Sequence, residues 1–204
     1  MPSGKRQKTP NPASQRVQMA AKLGSVLASA EGWRASGRIL GLDLEPVNTG
    51  VVILSDRGHV LRHTTFHYPL KSTKKSKITE RDRVDRMLHL ANDIVGIIRK
   101  FSISHVAVEG GGASFVAKSQ AIQRGGVFYV VSTQIWLACH LFPEVVAANS
   151  ARKEILGYGK ASKEDVQAVL EAHRIRLDSD HEADAYIVAR WLFEDLKRKK
   201  EKVK

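Results

Sequence analysis

Three extended apolar segments that follow one another, with only turn chemistry between them, constrain this chain more than any other feature. RILGLDL from Arg38, TGVVILS from Thr49 and HVLRHTTFHY from His59 are separated by Pro-Val-Asn and Asp-Arg-Gly. Such a run folds as an antiparallel meander. A fourth strand, SHVAVEG, ends near Glu109, and EVVAAN from Glu144 reads as a fifth. Between strands three and four, Val84, Leu88, Ala91, Ile94, Val95 and Ile98 mark one face of a helix. A glycine-rich bend, GGGAS, opens a long helical region from Lys118 to Leu141. SKEDVQAVLEAH is a further helix, with Ser162 as N-cap and Asp165 at the capping-box position. The last helix begins near His181 and dissolves into a basic tail. This order predicts a mixed α/β domain around one central sheet.

With 204 residues and 43% hydrophobic content, the chain can bury one sizeable core. The predicted domain spans 38–195, between a basic N-terminal tail over 1–37 and a basic C-terminal tail over 196–204. The N-terminal stretch has no acidic residue before Glu31 and reads as flexible, with a short amphipathic helix marked by Val17, Ala20, Leu23, Leu27 and Ala30. Its composition also resembles an organellar transit peptide. The expected location is the cytoplasm, with organellar targeting left open. The 33 Lys and Arg against 21 Asp and Glu give a formal charge of +12, which favours a polyanionic partner, nucleic acid first. No run is long and apolar enough to suggest a membrane span. The single Cys139 excludes an internal disulfide or a Cys-based zinc cluster, and reads as a buried structural cysteine.

Asp43 ends the first strand and Glu109 the fourth, so the two carboxylates converge if those strands are neighbours. In DSDHEADAY, His181 and Asp184 lie three residues apart, on one helical face. Clustered carboxylates repel one another unless a cation lies between them, which predicts raised proton affinities and a site for a hard divalent ion, magnesium first. Singly, each residue reads as well as a turn residue, a helix cap or a solvated group. Order, spacing and strand context together favour the site, although Asp178, Asp180 and Glu182 crowd the third position.

GLDLEPVNTGVVIL, VAVEGGGASFVAKSQAIQRGGVFYVV, SARKEILGYGKASKEDVQAVL and HEADAYIVARW, in that order, resemble the RuvC family of Holliday junction resolvases, in the style of compact phage enzymes. The resemblance covers Ile39 to Trp191. It implies an RNase H-like fold, a mixed five-stranded sheet flanked by helices. It also implies that Asp43, Glu109, His181 and Asp184 form a metal-dependent catalytic set, holding two Mg2+ ions for which Mn2+ can substitute. His181 stands where many members carry Asp.

Arg152, Lys160 and Lys163 flank Gly157 and Gly159, where a glycine turn lets backbone approach phosphate. The resemblance matches Arg152 and Lys163 to basic positions that contact DNA near the scissile phosphate; a C-capping turn before a solvated helix is the alternative. Lys71, Lys74, Lys75 and Lys77 read as a grip for a second DNA arm or as a solvated loop. Phe115 reads as a wedge for an opened junction or as a core contact. The apolar stretch Val127 to Leu141 is core, with one face available to a second subunit.

The expected function is that of a crossover junction endodeoxyribonuclease, a metal-dependent, structure-specific endonuclease acting on four-way DNA as a homodimer. The alternatives are a nuclease of the same fold acting on flaps, RNA-DNA hybrids or guide-directed targets, and a non-catalytic nucleic-acid-binding protein. An actin-like or sugar-kinase-like ATPase is disfavoured by the short chain.

Overall fold

The computed structural model describes residues 11–70, 77–110 and 118–203, without the side chains of 118–121. The meander forms as β1 (Arg38–Asp43), β2 (Asn48–Leu54) and β3 (Val60–His67), and β4 (Ile103–Gly110) and β5 (Glu144–Ala147) complete a five-stranded sheet. The spatial order is β3-β2-β1-β4-β5. The β1–β2 and β2–β3 pairs are antiparallel, while β1–β4 and β4–β5 are parallel. Parallel pairing needs crossovers, supplied by α2 (Glu80–Lys100) and α3 (Lys118–Cys139). Beyond β5 come α4 (Ala148–Leu156), α5 (Lys163–Ala172) and α6 (Asp180–Glu201), and α1 (Pro12–Ser29) precedes the sheet.

The two-residue period of the strands divides the core into two layers. Leu40 and Leu42 of β1, Val51 and Ile53 of β2, and Val106 and Val108 of β4 face α2 and α3. Ile39, Val52, Leu54 and Ala107 face the other way, into a core built with α1, α4, α5 and α6. By the same alternation, Gly41 and Asp43 of β1 and Glu109 of β4 lie on the α6 side. Helix α6 crosses that face closely. An added Cβ at Gly41 would meet the Ala185 carbonyl oxygen at 2.2 Å, and one at Gly50 would meet that of His181 at 2.0 Å.

Several elements differ from the sequence reading. The helix expected in the N-terminal stretch forms as α1, 18 residues long, but it is docked rather than part of a flexible tail, with Met19, Leu23 and Val26 buried in the core it shares with α5 and α6. A stretch poor in acids reads as a tail by composition, yet this helix has an apolar face. At the other end, α6 stays helical through Glu201, across most of the stretch read as a C-terminal tail. Helix α4 was not anticipated: its nine residues, between β5 and the turn at Gly157, are too few for a helical period to show. The buried face of α2 runs through Met87, Leu90, Ala91, Ile94 and Ile98, whereas Val84 is exposed and Leu88 only half-buried. Cys139 is half-buried rather than buried. Among the described residues, no helix is long and apolar enough to cross a membrane.

Candidate active site

The parallel register pairs Leu42 with Val108, so the next residue along each strand brings Asp43 level with Glu109. The first turn of α6 lies over them. Its N-cap, Ser179, accepts the Glu182 N–H, fixing where the helix starts. His181 and Asp184 then face the strand ends three residues apart. His181 Nδ1 lies 2.7 Å from Asp43 Oδ2, and Arg152 of α4 donates from Nη2 to Asp184 Oδ1 at 2.6 Å.

Protonation follows from burial and mutual charge. The Glu109 carboxyl is pushed up to about 8, first by burial and then by the charges of Asp43 and Asp184. Asp184 is also raised by burial, against the opposing pull of Arg152. His181 is held above the ordinary imidazole value by its bond to Asp43, so Nδ1 carries the proton that Asp43 accepts. Burial draws Lys163 down, but its bond to Asp180 (Nζ to Oδ2, 2.5 Å) and the charges of Asp180, Asp184 and Asp43 outweigh it and leave it raised. Asp180 is lowered in turn by Lys163.

The crowded acids of DSDHEADAY separate by direction. Glu182 turns away from Asp43 and is buried under β3, accepting from the backbone of Asp178 and the Thr65 hydroxyl and lying 2.6 Å from His63 Nδ1. Asp178 is exposed and Asp180 engages Lys163. His63, Asp178 and Glu182 are the one group of three such residues, among the described residues, whose ligand atoms all lie within 4.8 Å of one another. That group could hold a metal ion, but Glu182 already has three partners there and serves as a strut between β3 and α6. Asp43, Glu109, His181 and Asp184 are more open than this. Their donors nevertheless suit a hard divalent cation, because Glu109 Oε2 is buried with no partner among the described residues. A carboxyl group sheltered from water beside two further acids keeps a proton when alone and is stabilised as the anion by a cation.

Glu45 and Arg124 were missed by sequence reading. Arg124 grips Glu45 with two nitrogens, Nη2 at 2.7 Å and Nε at 3.1 Å. Burial raises Glu45, and the charges of Asp43 and His181 act on it, which locates it beside the site. Its place two residues beyond Asp43 was the only available signal. Arg152, expected at phosphate, donates to Asp184 here. Lys160 is exposed beyond Gly159, and Gly157 caps α4 in the left-handed region at φ 79. Phe115, Lys71, Lys74 and Lys75 lie outside the described residues.

No protein-family model matches the chain, and no curated protein matches it. Solved structures do. Thermus thermophilus RuvC in complex with Holliday junction substrate superposes with a TM-score of 0.62 at 18% identity, covering 79% of this chain and 96% of that one. The chain has the RuvC fold. A second T. thermophilus RuvC structure gives 0.60 at 16% identity, covering 78% of this chain and 96% of that one. The yeast mitochondrial Holliday junction resolvase Ydc2 gives 0.57 at 12%, covering 95% of this chain and 98% of that one. RuvC and this chain thus share an RNase H-like sheet flanked by helices, the arrangement expected from the four motifs.

Proposed function

We propose that the protein is a metal-dependent, structure-specific DNA endonuclease that resolves four-way junctions by paired phosphodiester hydrolysis. The observation that carries this reading is the meeting of Asp43, Glu109, His181 and Asp184 at one corner of the sheet, with Glu109 Oε2 buried and unpartnered. The likeness to two junction resolvases supports it.

Asp43, Glu109 and Asp184 would hold Mg2+, as one or two ions. When bound, magnesium supplies positive charge to the phosphodiester and makes water easier to deprotonate. The protein's own part is arrangement and proton control. Asp43 orients His181 through Nδ1, and Nε2, which has no partner among the described residues, is left to take or give a proton. Arg152 opposes the effect of burial on Asp184 and holds its carboxylate in place. Lys160 and Lys163, beyond the left-handed Gly157, present positive charge where a DNA strand can approach the α4–α5 turn. Two symmetric cuts need two such corners, so the working assembly is a twofold homodimer.

The test is cleavage of a labelled four-way junction beside linear duplex, flap and RNA-DNA hybrid, with magnesium or EDTA. Paired nicks confined to the junction, dependent on magnesium and lost in Asp43→Asn, are expected. The variant should still bind the junction, because it loses a metal ligand and none of the basic surface. Cutting of flaps or hybrids instead would keep the site and change the substrate. Tight binding with no cutting of any substrate would make this a binding protein.

A further inference from the structure

The catalytic corner occupies one end of the sheet. Toward the other end, a cleft of about 950 Å³ opens between the C-terminal end of α1, the β2–β3 turn and the α5–α6 connection. Four exposed guanidinium groups line it, Arg34, Arg57, Arg174 and Arg176, brought together from three separate parts of the chain. Glu31 is the only acid among its lining residues. Arg34 has a loose partner in Asp56 at 3.8 Å, and no ion pair is made by Arg57, Arg174 or Arg176 among the described residues. Like charges gathered in one cleft repel, and a polyanion relieves that repulsion.

The cleft is also built rather than incidental. Its floor is Arg190, buried at 2% exposure, which donates from Nη2 to Glu194 (2.6 Å) and to the Val26 carbonyl (3.1 Å) and stacks over Phe193. The turn carrying Arg57 rests on that floor. Gly58, at φ 77, has no room for a Cβ, which would come 2.8 Å from Arg190 Nη1. Arg174 ends α5 at φ 61, in the left-handed region where glycine would be cheaper by about 1 kcal/mol. The chain keeps a strained arginine there.

Strand β3 connects the cleft to the catalytic corner. It is an edge strand, and Leu61, Arg62, Thr64 and His67 are exposed along it. His63 lines the cleft and lies 2.6 Å from Glu182, the residue after His181. Asp43 is in register with Gly50, and Gly50 with Thr65, so the corner is level with Thr65. Val60 to Thr65 spans about 17 Å at a rise of about 3.4 Å per residue. This equals roughly five phosphates along one strand of a duplex. We infer that the arginine cleft is a second phosphate-binding site, gripping the backbone of a duplex arm about five nucleotides from the phosphate held at the catalytic corner. The inference rests on the nuclease reading and adds the path of an arm to it.

The experiment measures junction binding in EDTA across a salt series, comparing wild type with the double variant Arg57→Gln, Arg176→Gln. Two junctions are used, with arms of about 14 and about 4 base pairs closed by hairpin loops, one set reaching the cleft and the other stopping short. On long arms the variant should bind about tenfold more weakly at moderate salt, with a salt slope shallower by about 2, near 0.9 for each lost phosphate contact. On short arms the two proteins should match, and Arg57→Lys, Arg176→Lys should recover most of the long-arm affinity. Equal binding of long arms by wild type and the Gln variant would overturn the cleft, as would a loss that ignores arm length. Tight binding of tripolyphosphate that the Gln variant loses, with junction binding intact, would assign the cleft to a free polyphosphate instead. Wild-type protein that binds no DNA at all would overturn the nuclease reading itself.

Discussion

Glu109 holds a proton that an ordinary carboxyl releases well below neutrality, and this makes the metal-free protein sensitive to alkali. Its carboxyl is raised to about 8 from 4.5, so its contribution to stability is complete below about 4.5 and is lost as pH rises through about 8. In EDTA, the melting temperature should therefore fall across that window. Glu109→Gln should flatten the fall and be more stable than wild type near pH 8, by a few kcal/mol, while losing cleavage. A thermal-denaturation series of both proteins from pH 5 to about 8 checks this, and parallel curves would show that burial of Glu109 is not the cause. Arg152 is the opposite case, a cation whose removal leaves Asp184 buried without its partner. Arg152→Gln should lower stability in EDTA by roughly 2 to 4 kcal/mol, read from urea denaturation. Asp43, Glu109 and Asp184 were legible as residues because strand ends and helical spacing are visible in sequence. The Arg152–Asp184 pair and the Glu45–Arg124 clasp were not, since each joins elements whose approach only packing decides.

Secondary elements set the geometry of the corner through contacts with no slack. Gly50 of β2 lies under the His181 carbonyl, so Gly50→Ala must lift the first turn of α6 off the sheet. A displacement near 1 Å at His181 should cost cleavage about 100-fold, with binding of the junction retained and a lower melting temperature. Cleavage at the wild-type rate would mean that α6 yields without moving His181. At the N-terminal side, Leu23 is fully buried between α1 and the rest of the core. Leu23→Ala should lower unfolding stability by roughly 2 to 5 kcal/mol, whereas a dangling helix would give almost no change. Strands and the long helices were readable from their periodicity. The docking of α1 was not, because composition marks a basic stretch as solvated whether or not its apolar face finds a partner, and α4 is too short for its period to show.

At the scale of the whole molecule, charge and symmetry decide behaviour. A formal charge of +12 should make junction binding steeply salt-dependent, falling roughly a thousandfold between about 50 and 200 mM salt if about six phosphates are contacted. On α3, Ile122, Tyr129 and Trp136 recur every seven residues on an exposed face, with Leu137 beside them, and the homodimer proposed above would pair through it. Trp136→Glu with Leu137→Glu should shift sedimentation from dimer to monomer and leave single nicks in place of paired ones. The mixed sheet and its helical cover were legible from element order alone, while the arginine cleft depends on three distant segments meeting. Sequence distance also governs when the candidate site can assemble. Asp43 and His181 touch across 138 residues, and β1 meets β4 only after a crossover. A chain growing from its N-terminus completes its hairpins early and its catalytic corner only after α6 has emerged. On the proposed nuclease reading, a chain interrupted before Asp180 should be inert toward DNA cleavage, because the order of synthesis supplies His181 and Asp184 last.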